Sequence, residues 1–211
     1  SYDLGIDAYL PKNIKLSSTL YARNSRNLID YSLTPSSEIS NLPNLLDSAS
    51  YLYALNIGEA FTWGNELSIR QTTELKNGKL EFVLNHTLAI TTTSDSIVSK
   101  YISNHPINNV AGQVVFNHKF VTFTIGANYL TRNAEQVASI NGSIEPNYLL
   151  LNAKLQLYSK DLSGGFFIEA RNFTNTQYQE ILGAQLPGRW ILGGINWNIN
   201  RVKVKIPIIL K

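Results

Sequence analysis

Apolar residues recur at every second position through about nine segments of this chain, and that periodicity limits its possible folds more than any other feature. In the first segment Tyr2, Leu4, Ile6, Ala8 and Leu10 alternate with Asp3, Gly5, Asp7 and Tyr9. In the third, Leu55, Ile57, Phe61, Trp63, Leu67 and Ile69 alternate with Asn56, Gly58, Ala60, Thr62, Gly64, Glu66, Ser68 and Arg70. The fourth sets Leu80, Phe82, Leu84, Leu88 and Ile90 against Glu81, Asn85, Thr87 and Thr91. Val121, Phe123, Ile125 and Tyr129 continue the pattern, as do Leu149, Leu151, Leu155 and Leu157. A period of two is the mark of a strand with one apolar face. The stretches from about Leu55 to Glu74 and from Lys79 to Thr93 are long against a usual strand of about 5–6 residues. They would also outreach the roughly 9–11 tilted residues that cross a bilayer. Two residues break the parity. Glu59 fits if it lies above such a wall, and His86 is unexplained unless a bulge shifts the register.

The connections alternate as regularly as the residues. Short ones fall at Pro11–Lys12, Lys76–Gly78, Asn117–Lys119 and Lys160–Gly164. Long ones run over Asn24–Tyr53, Ser94–Asn108, Thr131–Pro146 and Thr174–Leu186. Bacterial outer-membrane barrels have short periplasmic turns and long outer loops. A soluble lipocalin-like barrel or a β-sandwich also alternates, but neither has a reason to gather every long loop at one end.

Composition agrees with a wall of this kind. Charged residues make up 16% and hydrophobic residues 44%, against about 25% charged in an ordinary soluble domain. No run of about 18 apolar residues offers a helical membrane span. The 18 basic residues are scattered, so the stripe of a nucleic-acid binder is missing. With no cysteine there is neither a disulfide framework nor a thiolate metal site. The chain opens at Ser1 inside a strand-like segment, so either a targeting signal has been removed or, the favoured expectation, the sequence is a fragment of a longer exported protein.

Near the C-terminus stand Ala170–Glu180 (ARNFTNTQYQE), Leu186-Pro-Gly-Arg-Trp190 and Gly193-Gly-Ile195. This block resembles the closing hairpin of TonB-dependent outer-membrane receptors. Asn172, Phe173, Asn175 and Tyr178 match the strand end of that motif, and Pro187, Gly188 and Arg189 the lead-in to the last strand. Asn27–Tyr31 (NLIDY) is similar to a segment that these receptors carry after a barrel strand. The resemblance implies an all-β, antiparallel transmembrane β-barrel. The chain would supply about nine strands from the C-terminal part of a barrel of about 22, with residues 1–200 as wall. Within the superfamily, Lys100–Pro106, Tyr129–Arg132 and Asn172–Trp190 look most like cobalamin-receptor-type members of Bacteroidetes-like bacteria. One departure stands out. Arg201–Lys211 (RVKVKIPIILK) extends past the place where the family's terminal aromatic residue is expected.

The resemblance further implies energised uptake of a scarce nutrient in the outer membrane, cobalamin ahead of an iron siderophore or haem. The implied partners are outer-membrane lipid, a small-molecule ligand, and TonB acting through a plug domain outside this chain. Neither nucleic acid, a cofactor, a metal nor an enzymatic activity is expected. Tyr31, Tyr51, His105 and Tyr178, in or beside outer loops, are the candidate ligand contacts, since aromatic rings bring large contact area at low entropy cost. Tyr101, Tyr129, Tyr148 and Tyr158 lie near strand ends, where aromatic girdles sit. Glu169 and Arg171 share one face as a lumen ion pair. A nucleophile–base pair for a barrel enzyme is lacking, as is a G-x-S-x-G elbow. The rival reading is a small self-contained barrel with a structural or adhesion role.

Overall fold

The computed structural model describes residues 1–40, 44–93, 102, 105–132, 145–160, 162–181 and 184–197. The Tyr101 girdle position, the tail at 201–211 and most of the loops around 94–104 and 133–144 lie outside the described residues. The chain is all-β. Nine strands form one antiparallel sheet: β1 (Tyr2–Leu10), β2 (Ile14–Ser25), β5 (Ala60–Leu75), β6 (Gly78–Thr93), β7 (Asn108–His118), β8 (Val121–Thr131), β9 (Asn147–Tyr158), β10 (Gly164–Arg171) and β13 (Trp190–Trp197), paired in that order. Two hairpins stand apart from it, β3 (Ile29–Pro35) with β4 (Ser50–Asn56) and β11 (Gln179–Ile181) with β12 (Ala184–Gln185). Both are inserted in long loops, so the sheet proper is a simple up-and-down meander. Among the described residues β1 and β13 are paired on one side only, and the sheet does not close.

Turn chemistry accounts for the short end. Between β1 and β2, Lys12 and Asn13 are both left-handed, with φ of 63° and 55°. Two consecutive residues of that kind match the twist of a tight hairpin. Lys76–Asn77 joins β5 to β6 with Leu75 and Gly78 already paired. The long connections all fall at the other end, as the sequence led us to expect.

The register is continuous through every pairing in the large sheet, so each residue's face follows from its partners. One rung shows it: Ile6, Ser18, Leu67, His86, Val110, Tyr129 and Leu149 share a face. On the opposite face lie Asp3, Asp7, Lys15, Arg23, Glu66, Arg70, Glu74, Lys79, Glu81, Lys154, Glu169 and Arg171. Those are all the Asp, Glu, Lys and Arg residues of the nine strands. The apolar face is left uncovered, with Ile6 69%, Ile168 53% and Ile195 82% exposed. A soluble monomer rarely exposes an apolar patch larger than a few hundred Å².

Charges on the polar face are largely paired across or along strands. Lys15 meets Asp7 at 3.1 Å, Lys79 meets Glu81, and Glu169 accepts from Arg171 Nε at 2.5 Å with Lys154 Nζ at 3.9 Å. The lumen-type ion pair expected from the sequence is therefore a triad. Among the described residues the core is small. Ile39, Ile57, Ala60, Ala89, Ile102, Leu130 and Tyr148 are buried, all at the long-loop end.

Three expectations need correction. The segment from Leu55 to Ile69 is not one strand. Gly58 takes φ 78° and divides β4 from β5, and the odd parity of apolar residues simply continues across the break. Glu59 lies in that break, where Arg26 Nε pairs with it at 3.2 Å. Tyr148 and Tyr158 are not girdle residues, because their partners Leu130 and Gly165 put them on the polar face. Only Tyr129 of the described girdle candidates is on the apolar face. His86 sits there too, with no bulge in β6. Its Nε2 meets Asn108 Oδ1 at 3.2 Å, and Asn108 Nδ2 donates to Thr131 Oγ1 at 3.2 Å. The polar exception is thus satisfied sideways, by neighbours on the same face.

Candidate ligand-binding cleft on the polar face

Where the polar face meets the long loops, a cleft of about 330 Å³ opens, lined by Asp3, Thr19, Tyr21, Arg23, Thr62, Glu66, Ala89, Thr91 and His105. A second cavity of about 370 Å³ adjoins it, shares Arg23, Thr62 and Thr91, and reaches Leu28, Ile29 and Asp30 at the base of the β3–β4 hairpin. Volumes of this size match small-molecule sites.

The floor is built from the β2–β5–β6 register. Tyr21 faces Gly64, and Gly64 faces Ala89. With no side chain at Gly64, the Tyr21 ring passes over β5 and its hydroxyl donates to the Leu88 carbonyl of β6 at 2.9 Å. A Cβ on Gly64 would lie 2.5 Å from that hydroxyl oxygen and 2.7 Å from ring carbon Cζ. An aromatic ring covering a strand glycine is a known device for holding a sheet together at its weak point. Beside it, Thr62 and Thr91 bond each other through their hydroxyls at 2.8 Å. In the plane of the sheet, the residue before β7 continues the ladder, with the Ala89 amide donating to the Ile107 carbonyl at 2.9 Å and the Ile107 amide to the Thr131 carbonyl at 2.8 Å.

His105 is the one predicted ligand residue that the fold brings to this cleft. Burial holds its imidazole below the usual histidine range, because the charged form would lose water. The three tyrosines go elsewhere. Tyr31 faces away on the hairpin and is 53% exposed. Tyr51 is on the hairpin's other face, since Tyr31 pairs with Ala54 and Tyr51 with Thr34. Its hydroxyl accepts from the Leu46 amide at 2.9 Å, so it braces its own loop. Tyr178 packs on Tyr148 with ring centroids 4.9 Å apart. Arg132 stands over Tyr148 at 5.6 Å and donates to the Glu180 carbonyl at 3.1 Å. Burial, and then the charge of Glu180, push the Tyr178 phenol up. Sequence reasoning missed Tyr21. Its signal was a tyrosine on the polar parity of β2, which becomes meaningful only once the register sets it opposite Gly64.

The C-terminal motif forms a latch rather than a ligand site. Asn172 and Asn175 are left-handed, with φ 47° and 59°. The Asn172 side chain accepts from the Thr176 amide at 2.9 Å and donates to the Thr176 carbonyl at 2.8 Å. The Asn172 amide donates to Asn152 Oδ1 at 2.9 Å, and the Phe173 amide to Leu151 at 2.9 Å. Asn175 Oδ1 then accepts from the Arg189 amide at 2.9 Å. Gly188 is needed there, as a Cβ would lie 2.4 Å from Asn175 Oδ1. Asn172, Asn175 and the Pro187–Arg189 turn therefore clamp the end of β10 to the start of β13. Among the described residues no group of three His, Asp or Glu side chains is placed to hold a metal ion. No protein-family model matches the chain, and no curated protein matches it.

Proposed function

We propose that the sheet is part of the wall of a bacterial outer-membrane β-barrel, apolar face on lipid and polar face toward the lumen. We further propose that the barrel is a TonB-dependent receptor taking up a scarce nutrient, cobalamin ahead of an iron siderophore or haem. The observation that carries the wall is the complete segregation of charge in the nine strands, onto one face of a sheet whose other face is uncovered. A charge facing hydrocarbon costs about 2–4 kcal/mol at the bilayer midplane, whereas water imposes no such rule on both faces of a soluble sheet. The strand lengths also fit: β7 and β8 have 11 residues and β2 and β9 have 12, near the span of a tilted strand. β5 and β6, at 16 residues each, would project past the lipid.

Among the described residues the edges at β1 and β13 are open, which favours a larger barrel over a self-contained one. Unpaired backbone in lipid costs several kcal/mol per group, so further strands are needed to close the wall. The receptor assignment rests on the resemblance of the Asn172–Trp190 block, whose physical role here is the latch between β10 and β13. In this reading the cleft under the loops is the part of the ligand-binding surface that this chain supplies, and TonB acts through a plug. The test is uptake of labelled cobalamin by intact cells with and without the gene, before and after collapse of the proton gradient. The proposal expects loss of uptake in the deletion strain and its dependence on the gradient. Unchanged uptake of cobalamin, siderophore and haem alike would refute it.

A further inference from the structure

We infer that the cleft beside Tyr21 binds an organic cation of the alkylammonium type, held over the tyrosine ring between the carboxylates of Asp3 and Glu66. Three features converge. The first is the ring itself, laid along the sheet because Gly64 leaves room and fixed there by the bond to Leu88. Tyr21 lines the cleft, and a cation within about 6 Å of a ring centroid is attracted by the ring's quadrupole.

The second is the pattern of charge. Asp3 pairs laterally with Tyr21, and Glu66 stands diagonally across from it, opposite Thr19. Both line the same cleft. Neither makes an ion pair among the described residues, whereas Asp7, Glu81 and Glu169 on the same face are each paired with a lysine. Burial disfavours the charged form of His105, which lines the same cleft. Among the described residues Arg23 is the one Lys or Arg of the lining, and it also lines the neighbouring cavity. A ligand that carries an acidic substituent would place it there and leave its nitrogen over Tyr21.

The third is the spacing. Asp3 on β1 and Glu66 on β5 stand on either side of β2, two strand spacings of about 4.8 Å apart, a gap that suits a polyatomic cation between them. Two carboxylates against one guanidinium also disfavour an anion as the primary occupant.

This inference names a ligand class for the lumen cleft, and only its biological use rests on the receptor reading. Binding is measured on purified protein, so it stands or fails separately from uptake. The experiment is saturation-transfer NMR on the whole native polypeptide in detergent, titrated with choline. Its uncharged isostere 3,3-dimethylbutan-1-ol serves as the control. Choline is expected to bind saturably and the alcohol not to. Asp3→Asn with Glu66→Gln is expected to weaken choline about tenfold or more, and Tyr21→Leu about fivefold. Lys154→Gln, at the separate polar-face triad, should leave binding unchanged. Equal binding of choline and the alcohol, absence of choline binding to the wild-type protein, or wild-type affinity in the isosteric acid variant would each overturn the inference.

Discussion

Replacing Asn172 separates the two contributions of the C-terminal latch, conformation and hydrogen bonding. Asn172 is 5% exposed, sits at φ 47°, and bonds Thr176 at both its amide and its carbonyl. Asn172→Ala removes two side-chain hydrogen bonds, each worth about 1 kcal/mol net. It also forces a Cβ-bearing residue without a polar side chain into the left-handed region, which costs about 1 kcal/mol more. The latch should then open more easily by about 3 kcal/mol. Asn172→Gly loses the same bonds but relieves the backbone, so its cost is about 2 kcal/mol. The assay is native-state amide exchange at Phe173 and Asn175, whose own acceptors, the carbonyls of Leu151 and Asn172, survive both substitutions. At about 1.4 kcal/mol per factor of ten, protection at these amides falls about a hundredfold in the alanine variant. The glycine variant should lose about fivefold less. Exchange within about threefold of the wild type in Asn172→Ala, or identical losses in the two variants, would refute the reasoning.

Other consequences follow from the same geometry. Ile125→Arg, on the apolar face, is expected to reduce folded yield in a heat-modifiability gel by an amount equivalent to about 2–4 kcal/mol. Thr124→Arg, one residue away on the polar face, should have little effect. Gly64→Ala would put a Cβ 2.0 Å from the Leu88 carbonyl and 2.5 Å from the Tyr21 hydroxyl, displacing the ring at a cost of about 1–3 kcal/mol. Loss of the ordered Tyr21 side-chain resonance by NMR is the readout. For His105 the folded pKa lies below that of the free imidazole, about 6.5. Its packing is therefore fully favourable above that value and weakens as pH falls toward the folded pKa. Amide protection at His105 and Ile107, corrected for intrinsic rate, should hold above about pH 6.5 and drop as pH falls below it, and His105→Phe should remove the dependence.

The sheet was legible because its faces see different surroundings: Leu80, Phe82 and Leu84 against Lys79, Glu81 and Asn85 give both strand and orientation without any knowledge of neighbours. Hairpin order was legible too, since short and long connections alternate. The break at Gly58 was hidden, because Leu55 and Ile57 in β4 keep the parity of Phe61 and Trp63 in β5. The placement of Tyr148 was available from parity, as Leu149 and Leu151 already claim the apolar face, and nearness to a strand end was the weaker guide. Tyr51 and Tyr178 read as ligand contacts from their place in or beside outer loops. The contacts they make in the structure, a bond to the Leu46 amide and packing on Tyr148, depend on loop conformations that no local pattern encodes. The cleft at Tyr21 likewise needs a register that joins residues 43 positions apart, Tyr21 and Gly64.

The most direct test of the membrane wall is site-directed spin labelling along β8 in native outer membranes. The chain has no cysteine, so each introduced thiol is the only one in these residues. Labels at positions 122 to 128 should alternate with a period of two. Phe123, Ile125 and Ala127 should be reached by oxygen dissolved in lipid, and Thr122, Thr124, Gly126 and Asn128 by a water-soluble nickel chelate. Uniform accessibility to the chelate on both parities, or lipid exposure at Thr122 and Thr124, would contradict the account.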